Sequence, residues 1–105
     1  MAGIQIKNIR KLEGLEKVTG LLGRDTPVPV FFTTRFGIHT FGLKFPIDVL
    51  ILDDKYRVKA VKRNLFPNNV FFWPPVYRNV LELPAGEISR MGINAGDIIN
   101  IVENN

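Results

Sequence analysis

The amino-acid sequence predicts a mainly β fold, a small β-sandwich or partly closed barrel of about six to eight short strands with two short helices. Segments of alternating apolar and polar residues favour this class, as in "IQIKNI" at residues 4–9. An apolar run at residues 47–52 has the length of a strand rather than that of a helix. Prolines, glycines and asparagines separate such segments at short intervals, which is typical of turns between strands.

The first third of the chain is predicted to form a strand, a short helix and a second strand. Residues 4–9 have the alternation of a half-buried strand. A helix is predicted next, because four apolar residues recur at near-helical spacing and Gly23 is placed to end it. These four residues are Leu12, Leu15, Val18 and Leu22. The prolines of residues 25–29 predict a loop, and "VFFTT" at 30–34 predicts a strand.

Pro46 divides the next segment into two predicted strands. The first, residues 38–43, is rich in β-branched and aromatic side chains. The second, residues 47–52, is apolar on both faces, which predicts an interior strand covered from both sides. A turn at 53–55 then predicts a hairpin, with a second strand at 56–62 that exposes one face. Its predicted inward residues are Tyr56, Val58 and Ala60.

The last third is predicted to hold a long loop, two strands and the second helix. Residues 64–75 are rich in proline and asparagine and predict the loop. A strand is predicted at 79–83, followed by a helix that Pro84 opens and Gly92 terminates. The segment "IINIV" at 98–102 predicts the closing strand.

The composition predicts one domain spanning residues 1–105, with enough apolar residues (46%) to bury a core. No apolar run approaches the roughly 18 residues of a membrane helix, and the N-terminus lacks the pattern of a secretory signal. Because the chain has no cysteine, we expect no disulfide and no thiolate metal site, and a cytoplasmic location. The net charge of +4 and the pI of about 9.7 do not by themselves indicate nucleic-acid binding.

Three blocks of the sequence resemble a known family. They are "GLLGRD" at 20–25, "IHTFGLKFPIDVLILD" at 38–53 and "NVLELPAGEISRMGINAGDIINI" at 79–101. In this order they are similar to the signature blocks of the domain of unknown function 192 family, which is widespread in prokaryotes. The resemblance implies a β-sandwich-like fold and no established activity. It carries nothing over to the loop at 64–79, where members of that family differ most.

His39 and Asp48 are the first candidates for a site. His39 is the only histidine, and with no second histidine and no cysteine we expect neither a metal site nor a cofactor. Its neighbour Thr40 would point to the opposite face of a strand, so a structural role for His39 is favoured over catalysis. Asp48 begins a buried strand, so its carboxylate requires backbone amides or a cation such as Arg35. Structural pairing and a role in a site are both open for Asp48.

Glu82, between Leu81 and Leu83, is either a solvent-facing residue or the partner of an arginine. Together with Asp48 it would make a minimal acid–base pair if the two carboxylates converge. This possibility is the basis of one alternative function, a carboxylate-based hydrolase. The candidate binding pocket is therefore Arg35, His39, Asp48 and Glu82.

Basic and aromatic residues form a further candidate surface. Lys55, Arg57, Lys59, Lys62 and Arg63 belong to the predicted hairpin at 55–63, and Phe71, Phe72 and Trp73 follow. Cations interleaved with aromatic rings are typical of single-strand binding, which is the other alternative function. A solvated hairpin face is favoured, because nearby acidic residues dilute the charge. At least one of the three rings is predicted to be exposed and to mark a surface for a partner or for weak self-association.

The function favoured by the sequence is the binding of a small ligand or a protein partner, without demonstrable catalytic machinery. Nucleic acid is not an expected partner, and neither is a membrane. The sequence does not indicate the identity of the ligand.

Overall fold

The computed structural model describes residues 3–12, 27–35 and 37–103, and this part of the chain forms eight strands and one helix. The strands are β1 (Ile4–Lys11), β2 (Val30–Thr33), β3 (Gly37–His39), β4 (Ile47–Leu52), β5 (Val58–Leu65), β6 (Val70–Phe72), β7 (Asn79–Pro84) and β8 (Ile99–Glu103). The helix is α1 (Glu87–Met91). The mainly β prediction is confirmed. Among the described residues, no helix is long and apolar enough to cross a membrane.

Six strands form one sheet in the order β5-β4-β7-β2-β1-β8, and β3 pairs with β6 in a separate two-stranded ribbon. Strand β1 runs parallel to both β2 and β8, whereas the other neighbours in the sheet are antiparallel. The large sheet curls until its two edge strands approach each other at an antiparallel bridge between Arg57 and Ile98. Backbone hydrogen bonds of 2.8 Å reinforce this approach, for example from Val58 N–H to the Asp97 carbonyl. The sheet is therefore a partly closed barrel.

Strand β4 lies inside the sheet, as its apolar sequence predicts. It pairs with β5 on one side and with β7 on the other. All six of its residues are buried, because each face of the sheet is covered by its own apolar core. The interior position of residues 47–52 is confirmed.

Two apolar cores cover the two faces of the sheet. The helix-side core consists of Ile6, Ile9, Phe31, Leu50, Leu52, Val58, Leu81, Leu83, Ile88, Ile93 and Ile99. The ribbon-side core consists of Leu12, Val30, Phe32, Ile47, Val49, Ile51, Leu65, Trp73 and Val80, with side chains of the β3–β6 ribbon packed against it. Successive residues of a strand point to opposite faces, so β4 and β7 contribute alternately to both cores.

Several predicted elements differ from the structure. The structure does not describe residues 13–26, so the helix predicted from Leu12 to Leu22 cannot be compared with it. Only the second predicted helix can be compared. The predicted loop at 64–75 contains β6, because a strand as short as three residues fits between its prolines. Pro84 ends β7 instead of opening α1, which starts at Glu87 after Gly86. The end of α1 at Gly92 is confirmed, since Gly92 has φ of 66°.

The pattern of β5 was predicted wrongly because the strand is irregular. Val58 lies opposite Leu52 and Ala60 lies opposite Ile51, so Lys59 is an extra residue in a β-bulge. The extra residue reverses the alternation. Val58 therefore belongs to the helix-side core, whereas Ala60 packs against the ribbon-side core.

Candidate functional site

Asp48 is held by backbone amides, one of the arrangements that the sequence predicts. Its Oδ1 accepts a hydrogen bond of 2.9 Å from Asn64 N–H in β5. Its Oδ2 accepts bonds of 3.0 Å from Gly86 N–H and Ile88 N–H, at the start of α1. The buried carboxylate thus fastens the hairpin and the helix to the central strand, and no bond to Arg35 is involved.

Glu82 occupies an apolar position on β7. It lies opposite Val30 of β2 and Val49 of β4, and is almost fully buried. No other residue in the described ranges forms a hydrogen bond or an ion pair with its carboxylate. Burial raises the pKa of Glu82 from 4.5 to about 7, because desolvation penalises the charged form.

The two carboxylates do not converge. Asp48 lies opposite Leu83, a member of the helix-side core, and bonds to the helix on that face. Glu82 lies opposite Val49, a member of the ribbon-side core. Directly paired residues of neighbouring strands share a face, so the sheet separates Asp48 from Glu82. An acid–base pair made of these two groups has no geometric basis.

His39 lies apart from both carboxylates, at the end of the β3–β6 ribbon. Its side chain is exposed and its ring stacks on Phe41 at 5.2 Å between centroids. The Nδ1 atom accepts a hydrogen bond of 3.2 Å from Phe41 N–H. His39 therefore has a local structural partner. The adjacent Thr40 is buried, and its hydroxyl donates to the Phe66 carbonyl at 2.6 Å.

Arg35 lines an open cleft of about 470 Å³, which we call the arginine cleft. Its lining residues are Thr33, Thr34, Arg35, Arg78 and Asn79. The cleft lies where the β2–β7 pair ends: Thr33 is opposite Asn79, and Thr34 N–H donates to the Arg78 carbonyl at 2.9 Å. No carboxylate of the described residues lies within ion-pair distance of either guanidinium group. The cleft thus combines two hydroxyls and one amide with two cations that form no ion pair with a described residue.

The basic hairpin is less cationic than its sequence indicates. Asp53 Oδ1 accepts hydrogen bonds of 2.9 Å from Lys55 N–H and Arg57 N–H. Asp53 Oδ2 lies 4.0 Å from Lys59 Nζ, which also sits over the Tyr77 ring. The pKa of Asp53 is lowered, first by the hydrogen bond from Arg57 N–H, then by that from Lys55 N–H and by the positive charges of Lys59 and Arg57. A second cleft at this hairpin contains both Asp53 and Asp54 among its lining residues.

The three aromatic residues of the predicted partner surface divide between core and surface. Trp73 is buried, and its Nε1–H donates to the Tyr77 carbonyl at 2.6 Å. Phe71 is half-buried and packs against the ribbon-side core. Phe72 is 68% exposed. The prediction that at least one of the three rings is exposed is confirmed.

The four residues of the predicted pocket therefore lie at separate positions. The arginine cleft contains only Arg35 of the four, and the clefts at the hairpin and beside α1 contain none of them. Nor do the described residues include any group of three or more potential metal ligands. The sequence analysis missed that Arg78 lies beside Arg35, because the two residues are 43 positions apart in the chain and only the β2–β7 register brings them to one cleft. Pairing the predicted strand "VFFTT" with the predicted strand at 79–83 would have indicated that Arg35 and Arg78 lie close together.

Comparisons with known proteins identify the family. The family model DUF192, described as an uncharacterised ACR, matches residues 13–101. A crystal structure from Novosphingobium aromaticivorans DSM 12444, of unknown function, has a TM-score of 0.73 at 20% identity and covers 86% of this chain and 70% of that chain. One from Sinorhizobium meliloti 1021, described as a "putative transcription regulator", has a TM-score of 0.74 at 22% identity, covering 86% and 76%. These two structures support the fold alone. No curated protein matches the chain. The chain belongs to the DUF192 family.

Proposed function

We propose that this member of the DUF192 family binds a small anionic ligand in the arginine cleft and acts as a binding domain rather than as an enzyme. The observation that carries the proposal is that Arg35 and Arg78 line the same cleft without a described carboxylate beside either of them. Two neighbouring like charges repel each other, and an anion between them relieves this repulsion. The positive charge of the lining residues therefore favours an anionic ligand.

The chemistry of the lining residues favours an oxyanion. A guanidinium group presents a planar fork of N–H donors that matches a carboxylate or a phosphate with two parallel hydrogen bonds. The hydroxyls of Thr33 and Thr34 and the amide of Asn79 add shorter-range donors at the same cleft. Carboxylates and phosphates share this recognition chemistry, so both belong to the expected ligand class.

The position and size of the cleft suit a small ligand. Its volume of about 470 Å³ lies within the roughly 300–1,000 Å³ of small-molecule sites. Thr33 and Asn79 lie on β2 and β7, both interior to the sheet, and Thr34, Arg35 and Arg78 lie within two residues of these strand ends. Positions next to paired strands keep their geometry better than those of a free loop.

The separation of the titratable groups supports binding over catalysis. Both carboxylate oxygens of Asp48 accept hydrogen bonds from backbone N–H groups. Glu82 lies on the opposite face of the sheet from Asp48, and neither residue lines the arginine cleft. His39 is on the ribbon and does not line the arginine cleft. The cleft therefore contains cations and neutral donors, but no group suited to general acid–base work near neutral pH.

A thermal-shift series with inorganic phosphate, sulfate, citrate and acetate tests the proposal, with sodium chloride at matched ionic strength as the reference. A ligand at 100 times its Kd adds about 2.7 kcal/mol to the free energy of unfolding, so the melting temperature of the wild type should rise. Arg35→Ala and Arg78→Ala should each remove the rise. Arg63→Ala, which deletes the same charge from an exposed position of β5, should keep it. An equal rise in all four proteins, or none in the wild type, would contradict a specific anion site.

A further inference from the structure

Strand β6 and the loop residues beside it, 65–77, form an uncharged, apolar surface on a charged protein. Residues 65–77 contain no Asp, Glu, Lys or Arg, although 23% of the chain is charged. Two side chains of β6 are exposed, Val70 at 47% and Phe72 at 68%. Phe41 and Phe66 are exposed as well, and Thr40 ties their two loops together through its bond to the Phe66 carbonyl. Exposed apolar side chains that cluster in this way mark interaction surfaces.

Strand β6 also has an open edge. Within the described part of the chain it pairs with β3 alone. Thr40 N–H donates to the Asn69 carbonyl at 2.9 Å, which makes this a hydrogen-bonded pair of the antiparallel ribbon. Hydrogen-bonded pairs alternate with non-hydrogen-bonded pairs along an antiparallel ladder, so Ile38 and Phe71 form the next hydrogen-bonded pair. In the non-hydrogen-bonded pairs on either side of it, which contain Val70 and Phe72, the backbone groups point away from the partner strand. The N–H and C=O groups of Val70 and Phe72 therefore face the open edge.

The Phe72 side chain is already placed for a contact. A Cβ atom on Gly37, which lies directly opposite, would come within 2.5 Å of the Phe72 ring. The ring therefore covers the glycine on the outer face of the ribbon, where contact with a second chain would bury apolar area that is exposed in the single copy.

We propose that β6 is the interface for a second copy of this chain, which pairs with it in antiparallel register centred on Phe71. In this register Val70 of each copy lies opposite Phe72 of the other. Both residues turn their backbone groups outward, so each such pair forms a narrow hydrogen-bonded pair of the new ladder. The two copies then form a four-stranded ribbon with an apolar cross-strand pair at each end of the junction.

The charge distribution selects a second copy over an acidic peptide. Each copy carries a net charge of +4, so association through most of the surface would bring like charges together. The segment 65–77 is the place where two copies can meet without that repulsion. An acidic peptide, in contrast, would find no cation within residues 65–77. Two copies can therefore meet at this segment without repulsion between like charges, in a register that is the same for both.

Analytical ultracentrifugation of the full chain over micromolar to millimolar concentrations tests the proposal. The wild type should show a monomer–dimer equilibrium. Phe72→Lys and Val70→Asp should each raise its dissociation constant at least tenfold, with unchanged circular dichroism. Val102→Lys, at a position 41% exposed on β8 and outside residues 65–77, should leave it unchanged. Mixing the Phe72→Lys and Val70→Asp chains should restore a mixed dimer, because the register puts the new opposite charges face to face.

Three outcomes would overturn the proposal. The first is a wild-type protein that stays monomeric up to millimolar concentration, even if it binds an extended peptide. The second is a dimer whose dissociation constant neither β6 substitution changes. The third is a failure of the mixed chains to associate more tightly than either chain alone, which excludes the proposed register. If Phe72→Lys lowers the circular dichroism signal, Phe72→Ser replaces it with the same expected loss of association.

Discussion

The carboxylate of Asp48 accepts a hydrogen bond of 3.0 Å from the backbone N–H of Ile88, 40 residues further along the chain. A second bond from Gly86 N–H reaches the same oxygen. Ile88 belongs to the first turn of α1, and the N-cap residue, Gly86, has no side chain to accept the N–H groups of that turn. An aspartate on the central strand thus supplies the cap that the helix lacks.

Asp48→Asn should destabilise the domain by about 2–4 kcal/mol, because an amide cannot accept all three backbone bonds and turns its own N–H groups toward donors. Equilibrium urea unfolding measures the change. His39→Ala is the matched comparison, and it should cost well under about 1 kcal/mol because the imidazole is exposed. Equal stability of the two variants would contradict a structural Asp48.

Leu50→Asp should prevent folding. Leu50 is fully buried on β4, and an unpaired carboxylate there faces the helix-side core. Its desolvation costs several kcal/mol, comparable with the roughly 5–15 kcal/mol that keeps a domain folded. Circular dichroism and gel filtration check the result, with Val76→Asp at an exposed position as the control. A soluble, cooperatively melting Leu50→Asp protein would refute the interior position of the strand.

The buried carboxyl group of Glu82 should make stability fall as pH rises. Its pKa is raised to about 7 in the folded protein, so the folded state holds the proton more tightly than the unfolded state. The cost of ionisation is absent below the unfolded pKa of 4.5, grows between 4.5 and about 7, and is complete above about 7. At pH 8 it amounts to about 3 kcal/mol.

Glu82→Gln tests this pH dependence, because glutamine is neutral at every pH. The free energy of unfolding of the variant should be nearly flat between pH 5 and about 8 relative to that of the wild type, and the variant should be the more stable protein at the upper end. Urea titrations at several pH values give the difference between the two proteins. Parallel curves for the two would show that Glu82 does not change its protonation in this range.

Thr40→Val should destabilise the loops of the ribbon by about 1–3 kcal/mol, since it removes two hydrogen bonds between the hydroxyl and partly buried backbone groups. The hydroxyl donates to the Phe66 carbonyl and accepts a bond of 3.0 Å from Asn69 N–H. The loss should appear as faster amide hydrogen exchange at Asn69. Thr33→Val, at an exposed position of β2, is the control and should leave the exchange at Asn69 unchanged.

The sequence predicted what depends on local pattern and missed what depends on register. An apolar run after Pro46 is sufficient to place β4 inside the sheet, and Gly92 is sufficient to end α1. The bulge at Lys59 leaves no distinct sequence signal, so the inward faces of β5 were assigned wrongly. Strand β6 was missed because prolines and asparagines dominate its surroundings.

The candidate site shows the same division. The need of Asp48 for backbone donors follows from burying a carboxylate, and can be derived without a structure. Which donors satisfy it cannot, because they come from two segments 16 and 40 residues away. In the same way, Arg35 could be identified as a candidate, but its position in one cleft with Arg78 depends on the register of β2 with β7.

Chemical-shift mapping by NMR tests the central claim, anion binding in the arginine cleft, most directly. We expect a titration of the ¹⁵N-labelled protein with inorganic phosphate at constant ionic strength to shift the amide resonances of Thr33, Thr34 and Asn79 in a saturable way. The same titration of Arg35→Ala should leave them unmoved, whereas Arg63→Ala should behave as the wild type. Saturable shifts that fall outside the cleft, or no saturable shifts with phosphate or citrate, would contradict the account.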